Sequence, residues 1–183
     1  MCIRDSLSGT RTLTEARDAF IHRLHALARS QALLINESFE GAPLAEIVRL
    51  EFESFSDRVK AVGPHVMLDP RVAQTFALVV HELFTNAIKH GALSRPEGQI
   101  AIQWTIEGVG SEAKFQFRWQ ELAGPPVVPP AQHGFGRILL EKAVEQEFGR
   151  PPMIRFAPEG LIYEINAPLS LVAASVRGLQ TSP

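Results

Sequence analysis

The sequence contains almost no cysteine and no long hydrophobic run, and both absences narrow what the chain can be. Its 183 residues include one cysteine, Cys2, so neither a disulfide framework nor a cysteine-rich zinc site can form. Purely apolar stretches reach about five residues, as in 76–80, whereas a transmembrane helix needs about 20. No apolar signal-peptide core follows the first residues, so the cytoplasm is the expected compartment.

An excess of charge of either sign is also missing. The 18 basic and 20 acidic residues give a net charge of −2. Bulk charge therefore attracts neither nucleic acid nor an anionic membrane. The sequence has no G-x-x-x-x-G-K-[ST] run, which excludes a P-loop. With 45% hydrophobic and 21% charged residues, the composition is that of an ordinary soluble domain.

The hydrophobic periodicity predicts helices at the start, strands in the middle, and one further helix between two strand pairs. Asp69-Pro70 is a helix-start signal, and Gly91 is the predicted C-cap of the same helix. The predicted helices are 14–35, 43–55, 70–91 and 137–148. The stretch 59–68 is predicted to be extended but broken at Gly63-Pro64, the predicted strands are 100–106, 115–119, 153–156 and 161–165, and 123–133 is a proline-rich loop. Without a βαβ rhythm, this order predicts an α/β sandwich with a mixed or antiparallel sheet.

The most informative segment is 81–94, which reads His-Glu-Leu-Phe-Thr-Asn-Ala-Ile-Lys-His-Gly-Ala-Leu-Ser. The predicted helix around it is apolar on most sides, which is typical of a core helix. Glu82 and Asn86 nevertheless lie four residues apart, and Lys89 follows one turn later, so the three share a face. A bound metal–phosphate group would supply polar partners for the three side chains. The alternative is that Glu82 is a solvated carboxylate at a helix edge.

A second candidate is the run His133-Gly134-Phe135-Gly136-Arg137, between the proline-rich loop and a helix. Glycines allow backbone N–H groups to approach a phosphate closely, and a helix N-terminus adds partial positive charge. Taken alone the run is a weak signal, and the alternative is the hinge of a flexible lid.

The order of three motifs resembles the ATP-binding domain shared by histidine kinases, gyrase, Hsp90 and MutL. They are the Glu82/Asn86 helix, Trp119-Gln120-Glu121 with Gly124, and Gly134-Phe135-Gly136. Within that group the chain is similar to the HWE-type sensor histidine kinases, from about residue 20 to 169. The resemblance implies an α+β fold, a two-layer α/β sandwich of the histidine-kinase/Hsp90-like ATPase type. Its sheet would be mixed and largely antiparallel, and a dimerisation helix would precede it.

The resemblance also implies the cofactors ATP and Mg²⁺ and a role for each motif residue. Asn86 would be the Mg²⁺ ligand, and Glu82 would polarise the nucleophile or order a magnesium-bound water. Glu121 would accept a hydrogen bond from the adenine amino group. The remaining implied nucleotide contacts are Lys89 on the phosphates, Gly124 under the nucleotide, and Gly134 and Gly136 in the lid.

The chain departs from the family pattern in two places. The acceptor histidine of the family sits in a run like N-H-R-V-K-N, which is absent here, and 20–28 instead resembles the second helix of the dimerisation hairpin. His22 and His25 in that helix are interpreted as solvated or dimer-facing. Ala123 stands where glycine is usual, and a positive φ there would cost on the order of 1–2 kcal/mol.

We therefore expect four regions. Residues 1–6 resemble a translated sequencing-adaptor scar, 12–38 are a remnant of the dimerisation hairpin, 39–169 form the catalytic ATP-binding domain, and 170–183 are a tail. The expected function is the catalytic part of a two-component sensor histidine kinase. It would form a homodimer through its first helix, and a response regulator would be the partner of the full-length kinase. The alternatives are a serine kinase of the anti-sigma-factor type and a non-catalytic dimerisation or nucleotide-binding module.

Overall fold

The computed structural model describes residues 41–126, 135–158 and 160–174. The predicted helix 14–35, the segment 1–6, most of the proline-rich loop and Gly134 lie outside these ranges. Besides three short 3₁₀ turns, these ranges contain five α-helices, one π-helical segment and seven strands. In chain order they are β1 (Ala42–Pro43), α1 (Leu44–Glu51), β2 (Val59–Val62), β3 (Met67–Leu68), α2 (Pro70–Lys89), β4 (Gln99–Glu107), β5 (Lys114–Leu122), α3 (Phe135–Ile138), the π-helical segment Leu139–Ala143, α4 (Val144–Phe148), β6 (Met153–Ala157), β7 (Gly160–Pro168) and α5 (Leu169–Val172).

The long helix α2 begins as the sequence predicts but ends differently. The side chain of Asp69 caps it by accepting a hydrogen bond from the Arg71 N–H at 3.0 Å, and Pro70 occupies the first turn. The prediction of Gly91 as C-cap is wrong, because His90 is the C-cap. Gly91 has a φ of −107°, so left-handed backbone is not the reason for a glycine there.

The five-stranded sheet confirms the predicted mixed, largely antiparallel arrangement. Its order is β2-β4-β5-β7-β6. Strand β2 pairs parallel with β4, and every other neighbouring pair is antiparallel. The strongly paired centre consists of β4, β5 and β7, each nine residues long. Both predicted hairpins, β4–β5 and β6–β7, are present.

One face of the sheet and the inner sides of the helices form the core. Burial alternates along β5, with Phe115, Phe117 and Trp119 facing inward, as expected for a half-buried strand. Phe76 on α2 meets Phe117 edge-on with ring centroids 5.0 Å apart. Trp119 is completely buried, and its ring centroid lies 5.7 Å from that of Phe52, so it is a packing residue of the core. The sheet and α2 therefore form the two layers of the sandwich.

The helix after the proline-rich loop is interrupted by a π-helical turn. The sequence predicts a continuous helix over 137–148, whereas the structure places the π-helical segment between α3 and α4. Tyr163 on β7 donates its hydroxyl hydrogen to the Leu140 carbonyl at 2.7 Å, which satisfies an acceptor in the widened turn. The sequence also missed α5, after which Ala173 forms a bridge with Leu68.

Candidate functional site

The predicted polar row lies on α2, at the helix layer of the sandwich. Glu82 is 6% exposed, Asn86 is half-buried and Lys89 is exposed. Four residues of α-helix turn through about 400°, so Glu82 and Asn86 point within about 40° of each other. The carboxylate lies among core residues, and the row becomes progressively more open toward the C-terminal end of the helix. This gradient suits a site whose ligand enters from that end.

Gly136 lies on an element that adjoins α2. It is buried within α3, and the π-helical segment and α4 that continue this helix both pack against α2. The structure therefore brings the glycine-run helix beside the helix that carries Glu82 and Asn86. Gly134 lies outside the described residues.

Glu121 is the most deeply buried carboxylate of the predicted site. It is 2% exposed, and its Oε2 accepts the Ala92 N–H at 2.7 Å. The Trp119 Nε1–H points at the other oxygen from 3.5 Å. Burial raises the pKa of Glu121, and the two donors oppose that shift. The W-x-E motif thus places a carboxylate, whose ionised form is destabilised by burial, against the turn that follows α2.

Two glycines allow the backbone to close around this carboxylate. A Cβ at Gly91 would overlap Oε2 of Glu121, and a Cβ at Gly124 would come within 2.8 Å of the Ala92 Cα atom. The short 3₁₀ turn Ala92–Ser94 is consequently pressed against the end of β5. Sequence reasoning assigned Gly124 to close approach under a nucleotide. It did not foresee that Gly91 and Ala92 complete the contact with Glu121, although both belong to the 81–94 motif.

The backbone at Ala123 has the conformation anticipated from the sequence. Its φ is +54°, the one positive value at a non-glycine residue among those that the structure describes. The residue is exposed, so the strain, about 1–2 kcal/mol, is local to the exit from β5. Alanine therefore fits here at a cost that glycine would avoid.

His81 forms a contact that sequence reasoning missed. Its Nδ1 lies 2.7 Å from Oε1 of Glu51, the last residue of α1. The two side chains are 8% and 9% exposed, so this is a buried pair between α1 and α2. A helical spacing that leaves Glu51 beside an otherwise apolar face was the signal available in the sequence.

Within the described residues, no three or more histidine, cysteine, aspartate or glutamate side chains form a group able to hold a metal ion. Mg²⁺ commonly takes one or two protein oxygens and fills its octahedron with phosphate oxygens and water. A single amide oxygen from Asn86 therefore fits a cation that arrives with a nucleotide.

From the raised pKa of Glu121 we predict how the free energy of unfolding depends on pH. The pKa of Glu121 in the folded state lies above its ordinary value of 4.5, so between these two values the folded chain holds a proton that the unfolded chain has released. Glu121 therefore lowers the free energy of unfolding as pH rises from about 4.5 through the folded-state pKa. Glu121→Gln removes this proton linkage. Urea unfolding from pH 4.5 to 8 should show the variant gaining stability relative to wild type as pH rises, and parallel curves would contradict the assignment.

Comparison with known proteins finds histidine kinases of similar sequence and similar fold. The chain is 35% identical over 169 residues to the "Blue-light-activated histidine kinase" of Brucella ovis, covering 90% of this chain and 35% of that protein. The fold is similar to the histidine kinase domain of the Erythrobacter litoralis EL346 blue-light activated histidine kinase. That match has a TM-score of 0.60 at 20% identity and covers 81% of this chain and 74% of that one. Acinetobacter baumannii histidine kinase AdeS matches with a TM-score of 0.51 at 15% identity, over 85% and 80% of the two chains.

The fold is that of the histidine kinase catalytic domains that the chain resembles. The sequence model of the HWE histidine kinase family matches residues 2–65, which precede the three motifs. Together with the histidine kinase relatives, this match confirms the recognition of an HWE-type histidine kinase. The relatives carry the name of the predicted enzyme class, protein histidine kinase. The chain spans about a third of the length of the curated relatives that it matches. No helix among the described residues is both long and apolar enough to cross a membrane.

Proposed function

We propose that this chain is the ATP-binding catalytic part of a two-component sensor histidine kinase. It would transfer the γ-phosphoryl group of ATP to a histidine that these 183 residues do not contain. The observation that carries the proposal is the buried Glu82 on a core helix, with the amide of Asn86 one turn further toward the open end. A carboxylate and an amide oxygen on one face of this helix fit the oxygen chemistry of a metal–phosphate ligand.

The proposed roles follow from what phosphoryl transfer requires. The reaction needs positioning and charge stabilisation and little covalent chemistry from the protein. Asn86 would hold the cation with its amide oxygen, and Lys89 would contact the phosphates. Glu82 would accept a hydrogen bond from the attacking imidazole or from a magnesium-bound water. Bound Mg²⁺ would supply the positive charge that the phosphates need.

Glu121 would recognise the adenine amino group. An ionised carboxylate has about four acceptor sites, and the Ala92 and Trp119 N–H groups occupy two of them. Burial raises the pKa of Glu121 in spite of these two donors, and a further donor from a ligand would stabilise the charged form. Gly124, Gly134 and Gly136 would allow close backbone approach to the nucleotide.

The partners and the division of the chain are part of the same proposal. A homodimer would form through a helix within 12–38, ahead of a catalytic domain that was predicted at 39–169, with 1–6 an artefact. The predicted tail at 170–183 begins inside α5, whose Val172 is buried in the core, so the domain would extend at least to the end of that helix. A response regulator would receive the phosphoryl group from the acceptor histidine of the full-length kinase. The chain would act in the cytoplasm. These assignments rest on the family resemblance and on the absence of an N-H-R-V-K-N run from the sequence.

That absence also favours the second candidate, a serine kinase of the anti-sigma-factor type that acts on a separate protein. The W-x-E motif at 119–121 counts against it. Radiolabel from ATP distinguishes the two: acid-labile label on a supplied histidine-containing hairpin supports the histidine kinase, and acid-stable label on serine supports the alternative. The strained Ala123 is the observation that favours a non-catalytic module.

Nucleotide binding by the purified chain is the direct test. Calorimetric titration with ATP and Mg²⁺ should give saturable binding with one nucleotide per chain and a Kd below about 1 mM, which corresponds to about −4 kcal/mol. Removal of Mg²⁺ with a chelator should weaken it. No heat at millimolar ATP would contradict the proposal and leave the non-catalytic module as the better account.

A further inference from the structure

The buried pair of Glu51 and His81 joins the entry of the chain into the domain to the helix that carries Glu82 and Asn86. Helix α1 follows directly on β1, and its last residue is Glu51. The surrounding contact is apolar, with Leu44, Ile47 and Val48 of α1 buried. A polar pair in such a place seldom adds stability over well-packed hydrophobic residues. The pair therefore indicates that the two helices must pack in one particular relative orientation.

The pair fixes both the ring and the helix. An ionised carboxylate can only accept, so the Nδ1 atom of His81, 2.7 Å from Glu51 Oε1, must carry the proton. A carboxylate partner of this kind sets the tautomer and the orientation of the imidazole. Because His81 and Glu82 are consecutive, they project about 100° apart around α2. Holding the histidine toward α1 therefore sets the rotation of α2 and the direction in which Glu82 points.

We propose that Glu51 is a positioning residue, which orients His81 and thereby holds Glu82 at the angle that phosphoryl transfer requires. This inference rests on the proposed function. Displacement of a catalytic group by about 1 Å can cost about 100-fold in rate, whereas nucleotide affinity depends on many contacts spread over several elements. Loss of the pair should therefore lower kcat and leave ATP binding nearly unchanged.

Three variants separate positioning from packing. Glu51→Gln keeps an acceptor oxygen for the Nδ1–H, while Glu51→Met has nearly the same shape without any acceptor. His81→Phe keeps a planar ring and removes the donor. The assay is transfer from Mg-ATP to a histidine-containing dimerisation hairpin of the family, supplied in trans, with ATP affinity measured by calorimetry on the same samples. Ring ¹⁵N spectra of histidine-labelled protein report whether Nδ1 is protonated.

The Gln variant should stay within about threefold of wild type in kcat, with Nδ1 of His81 still protonated. The Met and Phe variants should lose at least about tenfold in kcat, with ATP affinity within threefold of wild type and no loss of stability relative to Glu51→Gln. In Glu51→Met, the Nδ1–H signal of His81 should disappear or shift.

Two results would overturn the inference. One is a Met variant as fast as the Gln variant, and the other is a Met variant that loses ATP affinity and stability as strongly as rate. Failure of the wild-type chain to bind Mg-ATP is a different outcome, because it removes the proposed function itself. If the wild-type chain binds Mg-ATP and transfers the phosphoryl group, but the Gln and Met variants have equal kcat, only the proposed role of Glu51 is removed.

Discussion

Asn86→Ala is expected to reduce the affinity for Mg-ATP by at least about 100-fold, close to 3 kcal/mol. The substitution removes the one side-chain oxygen that we assign to the cation. The same loss should make the residual affinity for ATP insensitive to Mg²⁺, because no protein ligand remains to favour the metal-bound nucleotide. Calorimetric titration with and without a chelator measures both effects.

The fold should survive this substitution, which keeps the test specific. Asn86 is half-buried on a helix, and alanine has a higher helix propensity than asparagine. Asn166→Ala is a matched control, since it deletes the same amide from an exposed position on β7, opposite Gln116 of β5. The control should bind as wild type does. An Asn86→Ala chain whose affinity and Mg²⁺ dependence equal those of the control would contradict the metal-ligand assignment.

The sequence predicted the layers of this fold because their signals are local. Alternation along 100–106 and 115–119 predicted β4 and β5, and the Asp69-Pro70 pair predicted where α2 begins. The contacts that shape the site depend instead on residues far apart in the chain. Glu51 and His81 are 30 residues apart. Helical spacing could place Glu51 beside the apolar face of α1, but it could not identify His81 as the partner.

Glu121 shows the same limit within a motif that was recognised. The W-x-E run identified the residue, yet its contact with the Ala92 N–H, 29 residues away, appears only when β5 and the turn after α2 are brought together. Gly91 was assigned to a helix cap because helices commonly end at glycine. The structure shows a different reason for glycine at position 91, which is its close approach to the buried side chain of Glu121. The positive φ of Ala123 was raised as a condition because the family resemblance places a glycine there, since the alanine itself gives no local signal for that conformation.

Gly91→Ala is expected to lower the free energy of unfolding by about 2–4 kcal/mol, combining the cost of overpacking with that of an unsatisfied buried N–H. The new Cβ would overlap Oε2 of Glu121 and lie 2.9 Å from the Ala87 Cα atom. Since the backbone of α2 cannot yield easily, the carboxylate must leave the Ala92 N–H. Urea unfolding at pH 7 measures the loss.

The Glu121→Ala background isolates the cause of this loss. With the carboxylate removed, Gly91→Ala should lower the free energy of unfolding by only about 1 kcal/mol, because the contact of the new Cβ with Ala87 remains. The double-mutant cycle should therefore give a coupling energy of at least about 1 kcal/mol between residues 91 and 121. An equal cost in both backgrounds would show that the helix backbone alone demands glycine. The turn that closes α2 is held by the same carboxylate that we assign to adenine, so nucleotide binding and the order of that turn should strengthen each other.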